Sequence, residues 1–489
     1  MSSNSNFVKK MQNTMRTDAG ISGDAQRIEQ IVWMLFLKVY DAKEENTWEI
    51  LESDYKSIIP EQYRWRNWAK SDMTGDNLID FVNNKLFPTL KNLEIKEEDA
   101  IKKRIVVDVF ADANNYMKDG VALRRAIDII DELELDTKND RHTFGDIYES
   151  ILKDIQGAGN AGEFYTPRAL TDFIVEVIDP KLNEKIADFA CGTGGFLTSS
   201  IKYLDKKVSK ASDREYLKNF YGVEKKPFPH LLAITNLLLH DVDTPNIIHG
   251  NSLERNVREY TSDEKFDVIL MNPPYGGSER KEIQINFPSE IRGSETADLF
   301  IGLIMHRLKK NGRAAVILPD GFLFGADNAK TNLKKKLLSE FNLHTIIRLP
   351  GSVFAPYTSI ATNILFFDNT PSKGEVWFYR MDMPKGYKHF SKTKPIELRH
   401  FKEVHEWLQS KHNILDDDGN YKAKKFSTKE LKELDYNLDQ CGVPHIEEEI
   451  LLPNELINQY LNQRNEINEE INQVLNEISN ILEIDLEVK

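Results

Sequence analysis

Asn272, Pro273, Pro274 and Tyr275 follow directly on the apolar run FDVILM (266–271), in the stretch FDVILMNPPYGG. Proline donates no backbone hydrogen bond, so an apolar strand that meets two prolines ends there and leaves a stiff loop at its carboxyl end. Upstream, DFACGTGGFL sets Gly192, Gly194 and Gly195 in a turn between an apolar segment and a helix. Glycine there permits a tight turn and lets a ligand approach the backbone and the positive helix N-terminus, although a purely structural turn would need the same residues. Glu224 closes the run FYGVE, where an acid commonly holds both ribose hydroxyls of an adenosine-containing cofactor; alone it would be a solvated loop carboxylate. Roughly 36 residues separate it from Asp188, more than the ~20 of the dinucleotide fingerprint, and the polar LDKKVSKASDREYLKN reads as an inserted loop. Asn251, after Gly250, suits either a hydrogen bond to an adenine ring or simple turn formation.

These groups need a scaffold, and the sequence around them supplies one. Short apolar segments alternate with helix-like ones: KIADFA (185–190), FYGVE (220–224), NIIHG (246–250), FDVILM (266–271), RAAVILP (313–319), HTIIRLP (344–350) and ATNILFF (361–367). Continuous apolar runs are what strands buried on both faces look like, and alternation with helices implies a parallel sheet between helical layers. The expected fold is therefore a doubly wound α/β domain from about residue 160 to 400. In it, glycine turn, acid, Asn251 and Asn-Pro-Pro-Tyr loop each end a successive strand, placing four polar groups along the sheet edge where such folds bind ligands.

Before that domain the texture is helical. DAQRIEQIVWMLFLKVYDAKEE carries Ile28, Ile31, Leu35 and Val39 on a helical repeat, and Trp33, Phe36 and Leu37 widen the apolar face until it nearly encircles the helix, which predicts burial. DNLIDFVNNKLFPTLKNL and ALRRAIDIIDELELD repeat the pattern, and PRALTDFIVEVIDP reads as a helix that begins with one proline and ends before another. At the far end Tyr460, Ile467, Ile471, Val474, Ile478 and Ile481 fall on alternating steps of three and four, interrupted by Arg464. That is a short coiled-coil seam suited to a helical partner, or an amphipathic helix packed on its own chain. The expected organisation is a helical domain over 1–155, the α/β domain over 156–440 and a helical tail for partner contact over 441–489.

Composition narrows the class. Of 489 residues 40% are hydrophobic and 29% charged, and no apolar run approaches the ~18 residues of a membrane span, so no membrane partner is expected. The N-terminus MSSNSNFVKK has no secretory pattern, and Cys191 and Cys441 as the sole cysteines fit a reducing cytoplasm rather than a disulfide framework or a cysteine-based metal site. A net charge of −14 argues against a chain that coats nucleic acid unaided, while leaving room for a local basic groove or a partner subunit. No GxxxxGK[ST] phosphate loop is present, which excludes that form of ATP-driven translocation from this chain. The basic MPKGYKHFSKTKP (383–395) suits phosphate contact or a plain loop.

The order of turn, acid, Asn and Asn-Pro-Pro-Tyr resembles the S-adenosyl-L-methionine-dependent methyltransferases of exocyclic amino groups. GEFYTPRALTDFIVEVIDP (162–180), TFGDIYESILKDI, ADLFIGLIMHRLKKNGRAAVILPDGFLF (297–324) and FAPYTSIATNILFF (354–367) are similar to the modification (M) subunits of type I restriction-modification systems, over about residues 20–440. The resemblance implies a Rossmann-like class I methyltransferase that methylates adenine N6 in DNA. Asn272 and the Pro273 carbonyl would accept hydrogen bonds from the target amine, Pro274 would stiffen the loop, Tyr275 would stack on a base flipped out of the duplex, and Phe354 and Tyr357 would help hold it. Glu163, Phe164, Tyr165, Thr166, Pro167, Arg168, Asp188, Gly192, Thr193, Gly194, Gly195, Glu224 and Asn251 would bind the cofactor, and no metal is implied. Two departures stand out, Asn rather than an acid at 251 and Tyr rather than the family's common Phe at 275. After the last strand little room is expected for a domain that reads DNA sequence, so the partners the resemblance implies are DNA, a specificity (S) subunit with two M per S, and a restriction (R) subunit in the full complex. An amino methyltransferase of RNA or of a protein glutamine amide, and a cofactor-binding scaffold without catalysis, are the alternatives.

Overall fold

The computed structural model describes residues 4–51, 54–95, 100–135, 145, 148–149, 151–152, 165–355, 357–391, 393–442 and 453–482. The chain forms two compact units, Met1–Pro444 and His445–Lys489.

In the first unit a run of helices leads into a ten-stranded sheet. Helices α1 (Asn4–Arg16), α2 (Asp24–Lys43), α3 (Ala100–Ala111) and α4 (Gly120–Asp131) dominate the N-terminal region. The α2 residues Ile28, Ile31, Trp33, Leu35, Phe36, Leu37 and Val39 are all buried, as their near-encircling pattern predicts. Helix α4 starts where the Asp119 carboxylate accepts from the Val121 and Ala122 amides.

Further helices frame the sheet: α5 (Arg168–Ile178), α6 (Gly195–Asp205) and α7 (Pro227–Leu239). Pro167 stands just ahead of α5 and Asp179, left-handed at φ 51°, ends it. Helix α2 packs against α7, and the buried Lys43 ammonium reaches Asp243 at 2.6 Å. Tyr148 likewise donates to the Leu232 carbonyl of α7, at 3.1 Å.

The strands are β1 (Ile186–Asp188), β2 (Phe220–Glu224), β3 (Ile247–His249), β4 (Phe266–Met271), β5 (Leu308–Pro319), β6 (Asn342–Arg348), β7 (Thr362–Asp368), β8 (Glu375–Arg380), β9 (Ile414–Leu415) and β10 (Tyr421–Ser427). Their order is β3-β2-β1-β4-β5-β7-β6-β8-β10-β9. Only β7 and β10 run against the rest, so β1, β2, β3, β4, β6 and β8 all end at one edge.

Two apolar cores lie on opposite faces. Val268 and Leu270 of β4 join the core shared with α2, α5, α6 and α7, whereas Ile269 and Met271 join that of the helices Thr296–Arg307 and Asn328–Ser339. Double-sided burial explains why the central strands read as unbroken apolar runs. Strands β8 to β10 extend the sheet beyond the seven segments expected from sequence. Arg348, buried at the end of β6, ties the closing segment down by bonds to Asp320, Asp439 and the Gly442 carbonyl.

The second unit contains helix α8 (Pro453–Leu482), 30 residues long. Ile457, Tyr460, Ile467, Ile471 and Val474 are exposed along it, whereas the side chains of Ile478 and Ile481 lie outside the described residues. Among the described residues no helix is long and apolar enough to cross a membrane.

Candidate functional site

Parallel strands that end together present their loops at one edge, and here those loops enclose a cavity of ≈ 580 Å³. One wall is the turn after β1. Gly192 (φ 54°) and Gly194 (φ 77°) are left-handed, a conformation that costs glycine nothing, and Gly194 opens directly into α6. Gly195 is small for a different reason: a Cβ there would stand 2.0 Å from Arg168 Nη1. The guanidinium packed against it forms an ion pair with Glu149 at 2.6 Å, donates to Thr193 Oγ1 at 3.2 Å and lies over the Tyr165 ring. Burial alone would raise the Glu149 pKa, but Arg168 outweighs it and holds the carboxyl below its usual value.

The next wall is acidic. Glu224, 8% exposed at the end of β2, accepts from the Gly192 amide at 2.9 Å and the Lys226 amide at 2.8 Å. Burial raises its pKa. Asp188 at the end of β1 accepts from the Ala190 amide, and burial pushes its carboxyl up to about 8, with the nearby Glu224 adding to the shift. Asn251 lines the cavity, and its Oδ1 accepts from the Leu253 amide at 3.1 Å, so it does form the turn that its residue type allows.

The far wall is the loop after β4. Asn272, Pro273, Pro274 and Tyr275 all line the cavity. Asn272 Nδ2 donates to Thr166 Oγ1 at 3.1 Å, and the Tyr275 hydroxyl donates to Asn272 Oδ1. Desolvation raises the Tyr275 pKa well above its usual value, which keeps this hydroxyl a donor. Phe354 meets the Tyr275 ring edge to face at 6.4 Å, and Tyr357 stands beside it on the same wall.

Of the residues expected from sequence, Tyr165, Thr166, Arg168, Asp188, Gly192, Thr193, Gly195, Glu224, Asn251 and the Asn-Pro-Pro-Tyr loop meet around this one cavity. Pro167 and Gly194 stand behind the lining: Pro167 precedes α5, and Gly194 faces Leu237 and Ala233 of α7. Glu163 and Phe164 lie outside the described residues. Sequence reading missed Ser252, Ser278, Glu279 and Thr296 of the lining, and Glu149 and Asn236 behind it. Glu279 belongs to a short bridge in which Ser278 pairs with Glu295, a contact no local pattern announces. Among the described residues no cluster of three or more His, Cys, Asp or Glu side chains could hold a metal ion.

Known proteins share this architecture. Residues 139–448 match the family model for N-6 DNA methylases, and residues 4–130 match that for the HsdM N-terminal domain. The chain is 48% identical over 441 residues to the type I restriction enzyme EcoEI methylase subunit of Escherichia coli, covering 89% of each. It is 30% identical to the StySPI methylase subunit of Salmonella potsdam, covering 78% of this chain and 72% of that one. Among solved structures, a modification subunit ascribed to a type I restriction enzyme of Vibrio vulnificus YJ016 superposes with a TM-score of 0.77 at 38% identity, over 88% of this chain and 92% of that one. A chain from a study of complex assembly and conformational transition in the type I R-M system gives 0.80 at 33% identity, over 99% and 98%. By these matches the chain belongs to the N-6 DNA methylase family, among the methylase subunits of type I restriction enzymes.

Proposed function

We propose that this methylase subunit takes its methyl group from S-adenosyl-L-methionine and delivers it to an adenine flipped out of DNA, with the target sequence read by a separate specificity subunit. The supporting observation is that the glycine turn, the buried Glu224 and the Asn-Pro-Pro-Tyr loop open onto one cavity, leaving no wall between a cofactor half and a base half. Glu224 would hold the ribose hydroxyls: its carboxylate lines the cavity and is fixed there by the Gly192 and Lys226 amides. Asp188, the Gly192–Gly195 turn, Tyr165 and Arg168 would enclose the methionine end, and Asn251 and Ser252 the adenine end. When bound, the cofactor supplies an electrophilic methyl group on a sulfonium.

Adenine N6 is a poor nucleophile because its lone pair is delocalised into the ring. Asn272 Oδ1 and the Pro273 carbonyl would accept from both N6 hydrogens and favour a localised lone pair, while the two prolines keep the carbonyl in place. Tyr275, Phe354 and Tyr357 offer faces for the flipped base. The exposed apolar stripe of α8 fits a helical partner, and we assign it to the subunit assembly: two methylase subunits per specificity subunit, joined by a restriction subunit in the full complex. Purifying the chain with a co-encoded specificity subunit and mapping the modified base should find N6-methyladenine at one defined sequence. A complex that methylates RNA or protein but not DNA would refute the proposal.

The basic segment 383–395 follows β8 and so leaves the sheet at the edge that carries the cavity. Phe390 is buried and its amide donates to Ser352 Oγ at 2.9 Å, which seats the segment on the loop of Phe354 and Tyr357. Lys385, Lys388 and Lys394 are exposed and have no acidic partner among the described residues. Four inter-strand steps put the ends of β4 and β8 roughly 19 Å apart, about half a helical turn of duplex. We assign these lysines to DNA phosphates. Replacing all three with alanine should lower the slope of log affinity against log salt by roughly 2–3 units, measured by titrating target duplex at several salt concentrations. An unchanged slope would make the segment a plain loop.

A further inference from the structure

The segment GEFYTPR suggests a cofactor contact for Thr166, which lines the cavity, and its hydroxyl also meets the loop after β4. Oγ1 accepts from Asn272 Nδ2 at 3.1 Å, joining two segments that are 106 positions apart. Thr166 is itself well anchored. Pro167 follows it, its carbonyl accepts from Arg168 Nη1 at 3.5 Å, and that guanidinium is fixed by Glu149 and Thr193. A part-buried ion pair thus stands beside the backbone from which the hydroxyl reaches the amide.

A side-chain amide can turn over, and only one orientation offers an acceptor to an amine. The Tyr275 hydroxyl bonds Oδ1. A threonine hydroxyl can serve either orientation, but an incoming amine is a donor and selects the one in which Oδ1 faces it. Nδ2 then needs an acceptor on its other side, and Thr166 Oγ1 provides it. Without that hydroxyl the part-buried Nδ2 loses this acceptor in the geometry the reaction requires, and the amide is free to twist.

We propose that Thr166 is a positioning residue for methyl transfer, acting through Asn272 rather than through the cofactor. The inference rests on the adenine-N6 reading given above. Thr166→Val keeps the volume and removes the hydroxyl, whereas Thr166→Ser keeps the hydroxyl and removes a methyl.

In the assembled enzyme, with DNA bearing its mapped target, Thr166→Val should lower the single-turnover rate at saturating cofactor about tenfold. The calorimetric Kd for S-adenosyl-L-methionine should stay within about twofold, and Thr166→Ser should restore the rate to within about twofold of the parent. A weaker cofactor Kd with an unchanged saturated rate would return Thr166 to the cofactor. Equal losses in the valine and serine variants, or no loss in either, would also overturn the proposal. Wild-type enzyme that forms no N6-methyladenine would instead refute the underlying reading, so the two failures are distinct.

Discussion

Replacing Asn272 with alanine should collapse DNA methylation by the assembled enzyme, by about 10²–10³ in rate, while leaving fold and cofactor affinity nearly intact. Asn272 stands at the end of a strand buried on both faces, and its amide bonds Thr166 and Tyr275 rather than Glu224 or the glycine turn. It would meet the nucleophile only in the transfer geometry, so its loss falls on the transition state and not on cofactor binding. Affinity for DNA should change little, since phosphate contacts and the specificity subunit would dominate it. Aspartate makes a sharper comparison: it retains acceptor oxygens but has no N–H for Thr166, and should keep part of the activity where alanine keeps almost none. Single-turnover methylation at saturating cofactor measures both. An alanine enzyme running near the parental rate would remove the catalytic role given to the Asn-Pro-Pro-Tyr loop.

Glu224→Ala should weaken S-adenosyl-L-methionine binding by roughly 1.5–3 kcal/mol, the range for hydrogen bonds to a charged acceptor, or about 10- to 150-fold in Kd. The carboxylate is attached at one end of the cavity to the Gly192 and Lys226 amides, so alanine also strips two backbone donors of their partner. Thermal denaturation and calorimetry together separate the two effects. A lower Tm with an unchanged Kd would make Glu224 an anchor for the glycine turn and nothing more. Glu224→Gln retains one acceptor oxygen and should fall between alanine and the parent.

The central strands were legible because both faces of each are covered, and a strand with two apolar faces writes itself as a continuous run: β2 and β4 coincide with FYGVE and FDVILM. Strands β8 and β10 escaped the same criterion. EVWFYR alternates in burial along its first half, and YKAKKFS carries three lysines in seven residues with only Ala423 buried, so neither resembles a double-sided core strand. At the site, the order of strand ends was enough to bring Asp188, Glu224, Asn251 and Asn272 to one edge, because parallel topology forces the loops together. Pairings across the cavity were not legible. That Arg168 would find Glu149, or that Asn272 would find Thr166, depends on where loops settle after the sheet has formed. The glycine at 195 illustrates both sides of this: its position in the turn was evident, but the guanidinium that excludes a side chain there was not.

The sheet's two margins carry a last consequence. Ten hydrogen-bonded strands end at β3, three residues long, and at β9, two residues long. Unpaired backbone along a strand edge is a template for another chain, and long flat edges are where folded proteins stick to one another. At the β9 side the short strand covers β10 only near Tyr421 and Ala423, and Lys424 and Lys425 place charge along the rest of that margin. Short strands at both margins and lysines beside one of them work against strand addition by another chain.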